Sequence, residues 1–249
     1  WQKGWEHGQD PSMMRDAGVD MNGIMLYEAD SQQYRGLLQQ WNAYTGDSKF
    51  NLVVGDTFDW NLHQNTLNPA GPEDMVRRTM AAVEQFQEGQ PVRGIFTHDL
   101  ARALRGNLGP YPPLEWFLAA GSAMTRLREI HHRTPFRLSL RIPKDVTPGE
   151  SLHGTVTLDS KTVDPPVTVE LYSSSDMDLS PSVIHLTPEV SSGSFVARWK
   201  PNNRSPLRGN RAFVAARSFQ SGRSKERCLI HMTYVQGRPS DPRPLPLKE

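Results

Sequence analysis

At Thr134-Pro135 the apolar pattern of this chain changes period, from helical spacing before it to alternation after it. A helix repeats its apolar face about every 3.6 residues and a half-buried strand about every 2. Both patterns in separate blocks call for two bodies with separate layers. A chain of 249 residues is long enough to bury a core in each.

The second block alternates cleanly. Phe136, Leu138, Leu140 and Ile142 are separated by Arg137, Ser139 and Arg141. Similar runs follow at 152–158, 167–172, 183–186, 194–199, 212–219 and 228–235, with Pro, Gly, Ser and Asp turns between them. Short, evenly spaced strands of this kind predict an immunoglobulin-like β-sandwich. The acidic stretch 173–180 reads as a solvated turn. The expected division is residues 1–133, a sandwich at 134–237, and a Pro-rich extended tail at 238–249.

The first block carries three apolar segments that end in acid or histidine. They are Gly23-Ile24-Met25-Leu26-Tyr27-Glu28, Asn51-Leu52-Val53-Val54-Gly55-Asp56 and Val92-Arg93-Gly94-Ile95-Phe96-Thr97-His98-Asp99. Helix signals follow each. Ser31 precedes an apolar stripe of Tyr34, Leu37, Leu38, Trp41 and Tyr44. Pro72-Glu73-Asp74 opens a helix with inner positions Met75, Thr79, Ala82, Val83 and Phe86. Leu114, Phe117, Leu118, Gly121, Thr125 and Leu127 predict the apolar face of a third. Strand followed by helix, repeated, predicts a parallel sheet with helices on it. Ligands of such sheets sit at the carboxyl ends of the strands.

These strand ends resemble the late strands of a glycoside-hydrolase-type (β/α) barrel, in Leu26-Tyr27-Glu28-Ala29-Asp30, Gly55-Asp56 and Phe96-Thr97-His98-Asp99. The block that follows resembles the immunoglobulin-like module that many secreted glycosidases carry. The fold class expected is therefore α/β plus all-β: a partial (β/α) barrel, its last three or so β-α units, with a C-terminal Ig-like sandwich. A barrel needs about eight strands, so the resemblance implies another polypeptide completing the barrel and a chain that is a fragment or cleavage product. A compact flavodoxin-like domain is the alternative.

The resemblance implies a secreted or bacterial-envelope protein that acts on carbohydrate. Glycosidases place two carboxyl groups across the scissile bond. Glu28 and Asp56 are the expected catalytic pair, with Tyr27, Asp30, Asp59, Trp60, His98, Asp99 and Tyr111 as substrate-binding candidates. The rival is a non-catalytic structural, adhesive or glycan-binding envelope protein with a degenerate barrel. In that case the acids cap helices or pair with arginines.

Other classes are disfavoured. Lys and Arg total 28 against 27 Asp and Glu, without a basic cluster interleaved with aromatics, so nucleic-acid binding is not expected. No apolar run reaches the ~20 residues of a membrane helix. Cys228 is the single cysteine, which removes internal disulfides and Cys-based zinc sites. His98-Asp99 and His131-His132 are neighbours without metal-ligand spacing. With no glycine-rich phosphate loop, no cofactor is expected.

Overall fold

The computed structural model describes residues 11–24, 31–45, 51–57, 71–85, 92–98, 111–147, 149–159, 166–200, 211–220 and 228–237. The chain divides into two compact units, Trp1–Ile130 and His131–Glu249. Among the described residues there are twelve strands and four helices.

In the first unit the order is α1 (Pro11–Asp16), β1 (Met21–Ile24), α2 (Ser31–Thr45), β2 (Asn51–Thr57), α3 (Glu73–Gln85), β3 (Val92–His98) and α4 (Pro113–Ile130). The strands are parallel and lie in the order β1-β2-β3. Tyr34, Leu38 and Trp41 recur at helical spacing on α2 and are buried together with Ala81, Ala82, Val92 and Leu127. Each large apolar side chain so buried contributes about 1.5–3 kcal/mol.

The start of α3 is fixed by its own sequence. The Gly71 N–H donates to Asp74 Oδ2 at 2.8 Å, and the Asp74 N–H donates to the Gly71 carbonyl at 3.0 Å. This reciprocal pair satisfies donors that a helix start otherwise leaves open. Glu73 and Asp74 also suit the positive end of the helix dipole.

The inner face of α4 keeps Leu118, Thr125 and Leu127 of the expected set and departs from it at the helix start. Leu114 and Phe117 are exposed, while Glu115 and Trp116 are buried. The physical reason is close helix approach. α3 and α4 pack on each other, and the small residues Ala81 and Ala82 on one and Ala119, Ser122 and Ala123 on the other are all buried. Small side chains set the contact there, and at the helix start Trp116 is buried while Leu114 and Phe117 are exposed.

The expectation of a partial (β/α) barrel is corrected. Among the described residues the parallel sheet has three strands, and nine of the twelve strands lie in two other sheets. Closure needs tilt and shear carried round a complete ring. A strand-helix rhythm in sequence does not encode that closure, and the described chain is predominantly β.

In the second unit the strands are β4 (Leu138–Arg141), β5 (Asp145–Val146), β6 (Ser151–Leu158), β7 (Val167–Ser173), β8 (Met177–Ser180), β9 (Val183–Leu186), β10 (Ser192–Trp199), β11 (Arg211–Gln220) and β12 (Leu229–Gly237). One sheet runs β4-β6-β10-β8 and the other β5-β12-β11-β7-β9. All pairings are antiparallel except β5 with β12. Inward residues of both sheets, among them Leu138, Val156, Phe195, Trp199, Val169 and Val214, form one core. This is a β-sandwich. Its β8 occupies part of the stretch expected to be an acidic turn, and Met177 of that strand is buried.

Two glycines admit neighbours that no other residue would. A Cβ on Gly154 would stand 2.2 Å from Cζ of Phe195, its cross-strand partner. On Gly193 it would stand 2.4 Å from Cγ2 of Ile184. Both sites let a large side chain lie directly on the backbone.

Candidate functional site

Most of the expected strand-end site lies outside the described residues. That is so for Tyr27, Glu28, Asp30, Asp59, Trp60 and Asp99. Asp56 and His98 are placed by backbone alone. Asp56 pairs with Thr97 and Thr57 with His98, so both positions fall at neighbouring carboxyl ends of β2 and β3.

Tyr111 is described, and it is half-buried in packing. Its ring meets Trp116 edge-on, with centroids 6.1 Å apart and planes at 87°. Its hydroxyl lies over Gly71, 2.9 Å from where a Cβ there would stand. The ring thus joins the beginnings of α3 and α4.

A groove of about 330 Å³ is lined by Arg35, Val76, Arg77, Arg78, Met80 and Ala81. It is not a bare anion site. Arg35 reaches Glu84 at 3.6 Å and Arg77 reaches Asp74 at 3.0 Å. Among the described residues no group of three or more His, Cys, Asp or Glu is placed to hold a metal ion.

The best-organised polar cluster lies on the five-stranded sheet. Alternation buries Val167, Val169 and Leu171 of β7 in the core and turns Thr168, Glu170 and Tyr172 outward. At the end of β11 Arg217 and Phe219 are half-buried on the outer side, whereas Phe213 and Ala215 on that same side are buried. The register pairs Glu170 with Arg217 and Thr168 with Phe219. Arg217 Nη1 donates to Glu170 Oε2 at 2.7 Å, and the Tyr172 hydroxyl donates to the same oxygen at 2.7 Å. The guanidinium carbon stands 5.1 Å from the Phe219 ring centroid, a cation–π contact. Next to it, Thr168 Oγ1 and His185 Nδ1 share a hydrogen bond of 3.2 Å, which carries the polar strip onto β9.

The electrostatics follow from these contacts. The Tyr172 hydroxyl, with help from Arg217, holds the Glu170 carboxyl below its ordinary value of 4.5, against the opposing effect of burial. Burial, then the Glu170 carboxylate, pushes the Tyr172 phenol up. The carboxylate pushes the Arg217 guanidinium further up. A group whose pKa is lowered by folding contributes stability above its unfolded pKa, and that contribution is lost as pH falls through the folded value. Wild-type chain should therefore lose stability on acidification below 4.5 more steeply than Glu170→Gln. Urea midpoints taken at stepped pH check this, and parallel curves would refute it.

Sequence reasoning missed this cluster. Glu170 two residues before Tyr172 and Arg217 two before Phe219 are visible as same-face pairs. Only the pairing register brings the two pairs together.

No family model matches the chain, and no curated protein matches it. Solved structures do. The native conformation of E. coli alpha-2-macroglobulin is similar at 18% identity and a TM-score of 0.32, over 42% of this chain and 7% of that one. The YadV chaperone is similar at 8% identity and 0.32, over 41% and 51%. A conjugative transposon lipoprotein from Bacteroides eggerthii is similar at 7% and 0.30, over 41% and 96%. The chain thus spans 7% and about half of the first two. These shallow likenesses assign neither family nor function. They are to a macroglobulin, a chaperone and a lipoprotein, and the resemblance to a glycoside-hydrolase barrel is withdrawn with the barrel itself. Among the described residues no helix is long and apolar enough to cross a membrane.

Proposed function

We propose that this chain is a non-catalytic module of the cell envelope or the cell exterior, which binds glycans on the outer face of its five-stranded sheet. The observation that supports the reading is the fixed placement of Arg217 between the Glu170 carboxylate at 2.7 Å and the Phe219 ring at 5.1 Å. Sugars need hydrogen-bonding groups held in place and flat apolar surface beside them. Glu170, Arg217 and Tyr172 provide the first, and the Tyr172 and Phe219 rings provide the second. A guanidinium has five N–H donors; those of Arg217 serve Glu170, Tyr172 and Cys228, and the remainder face a ligand.

The test is calorimetric titration of the full chain with a panel of neutral hexasaccharides. A charge-assisted hydrogen bond contributes about 1.5–3 kcal/mol. Arg217→Ala should then weaken binding at least ~10-fold, since each factor of ten is about 1.4 kcal/mol. Unchanged affinity in Arg217→Ala would sink the proposal. So would release of reducing ends by the wild-type chain that Glu28→Gln abolishes, because hydrolysis at the strand ends would then be the activity.

A further inference from the structure

We infer that this face selects an uncharged sugar ring bearing two adjacent hydroxyls and rejects an acidic one. The inference rests on the glycan reading above and names the ligand class. Glu170 and Arg217 are in direct contact at 2.7 Å, so the charges nearest a bound ring cancel. Arg217 and Tyr172 both donate to Oε2 of the carboxylate. The other oxygen, Oε1, is left to accept from a ligand. The guanidinium donates. The Tyr172 hydrogen is committed to Glu170 and the phenol oxygen accepts from Arg217, so this hydroxyl holds the pair in place.

The surface therefore presents an acceptor beside a donor. One hydroxyl of a vicinal diol can donate to Oε1 while its neighbour accepts from Arg217. A carboxylate-bearing sugar can offer the same diol, but it must also bring its charge against Glu170. Like charges set side by side are a source of rejection, not merely of lost affinity. Glu170 keeps its negative charge at neutral pH because Tyr172 and Arg217 favour the ionised form. The face also includes Thr168 and His185, joined at 3.2 Å, and Phe219, and none of these adds a second carboxylate.

The decisive experiment titrates the full chain with mannohexaose or cellohexaose and, separately, with hexagalacturonate at low salt. The neutral sugar should bind at least tenfold more tightly. Glu170→Gln keeps the size and the acceptor but removes the charge, so the preference should collapse, chiefly through tighter binding of hexagalacturonate. Equal or tighter binding of hexagalacturonate by the wild-type chain overturns the inference and leaves glycan binding standing. A preference unchanged in Glu170→Gln overturns it as well. Binding of neither class, with no response to Arg217→Ala, overturns the glycan reading itself. The wild-type comparison decides the matter even if the variant folds poorly.

Discussion

Phe195→Ala is expected to destabilise the second unit by about 3–5 kcal/mol. Phe195 is fully buried and lies on the bare backbone of Gly154 across the β6–β10 pair. Removing the ring opens a cavity whose floor is a glycine, with no side chain to relax into it. The opposite change fails for the opposite reason. Gly154→Ala would put a methyl group 2.2 Å from Cζ, and a ring held in a close-packed core cannot retreat. Overpacking of that kind costs about 1–3 kcal/mol. The two sites share one volume, so their effects should not add. In the double variant the alanine methyl fills part of the cavity, and the loss should fall short of the sum by about 0.5–3 kcal/mol. Urea unfolding of the four proteins, followed through amide signals of β6 and β10, measures all of this. A loss below about 1 kcal/mol in Phe195→Ala, or strict additivity, would contradict the packing described.

Trp116→Ala should be as costly to the first unit, about 3–5 kcal/mol. The indole is fully buried on α4 and holds Tyr111 edge-on at 6.1 Å. Tyr111 in turn lies over Gly71, whose N–H is bound by Asp74 at the start of α3. Loss of the indole therefore removes apolar burial and also unseats the ring that covers a helix cap. Hydrogen exchange should quicken through α4 and the first turn of α3. The urea midpoint of the sandwich strands should stay within error of wild type, because the sandwich core is built from residues of the second unit. An equal shift in sandwich probes would mean that the two units unfold as one.

Some of this was legible in the sequence, and physics explains which parts. Alternation reveals a strand with one buried face, and the runs around Val169, Phe195 and Val214 carry it strongly. Met177-Asp178-Leu179-Ser180 alternates just as well, yet its acid and its serines read as a turn. What decides there is pairing with β10, a partner remote in sequence. On α4, apolar character alone does not separate buried Trp116 and Leu118 from exposed Leu114 and Phe117. The barrel was misread because local rhythm carries no information on closure. The Glu170–Arg217 contact joins residues 47 positions apart and depends on register alone. The expected acids Glu28, Asp30, Asp59 and Asp99 lie outside the described residues, so the sequence remains their sole witness.

The two sheets of the sandwich end on β4 and β8 in one case and on β5 and β9 in the other. β4 runs on into β5, and β8 into β9 across the cis Ser180–Pro181 peptide. Each flank is thus hemmed by a single thread that borders both sheets in turn. A free hem is where β-sheets recruit strangers, since its amides and carbonyls stand ready for another strand. Here neither hem can lift from one layer without tugging on the other, so fraying at a border is resisted by the layer behind it. The wide face that carries Arg217 lies between these sewn borders.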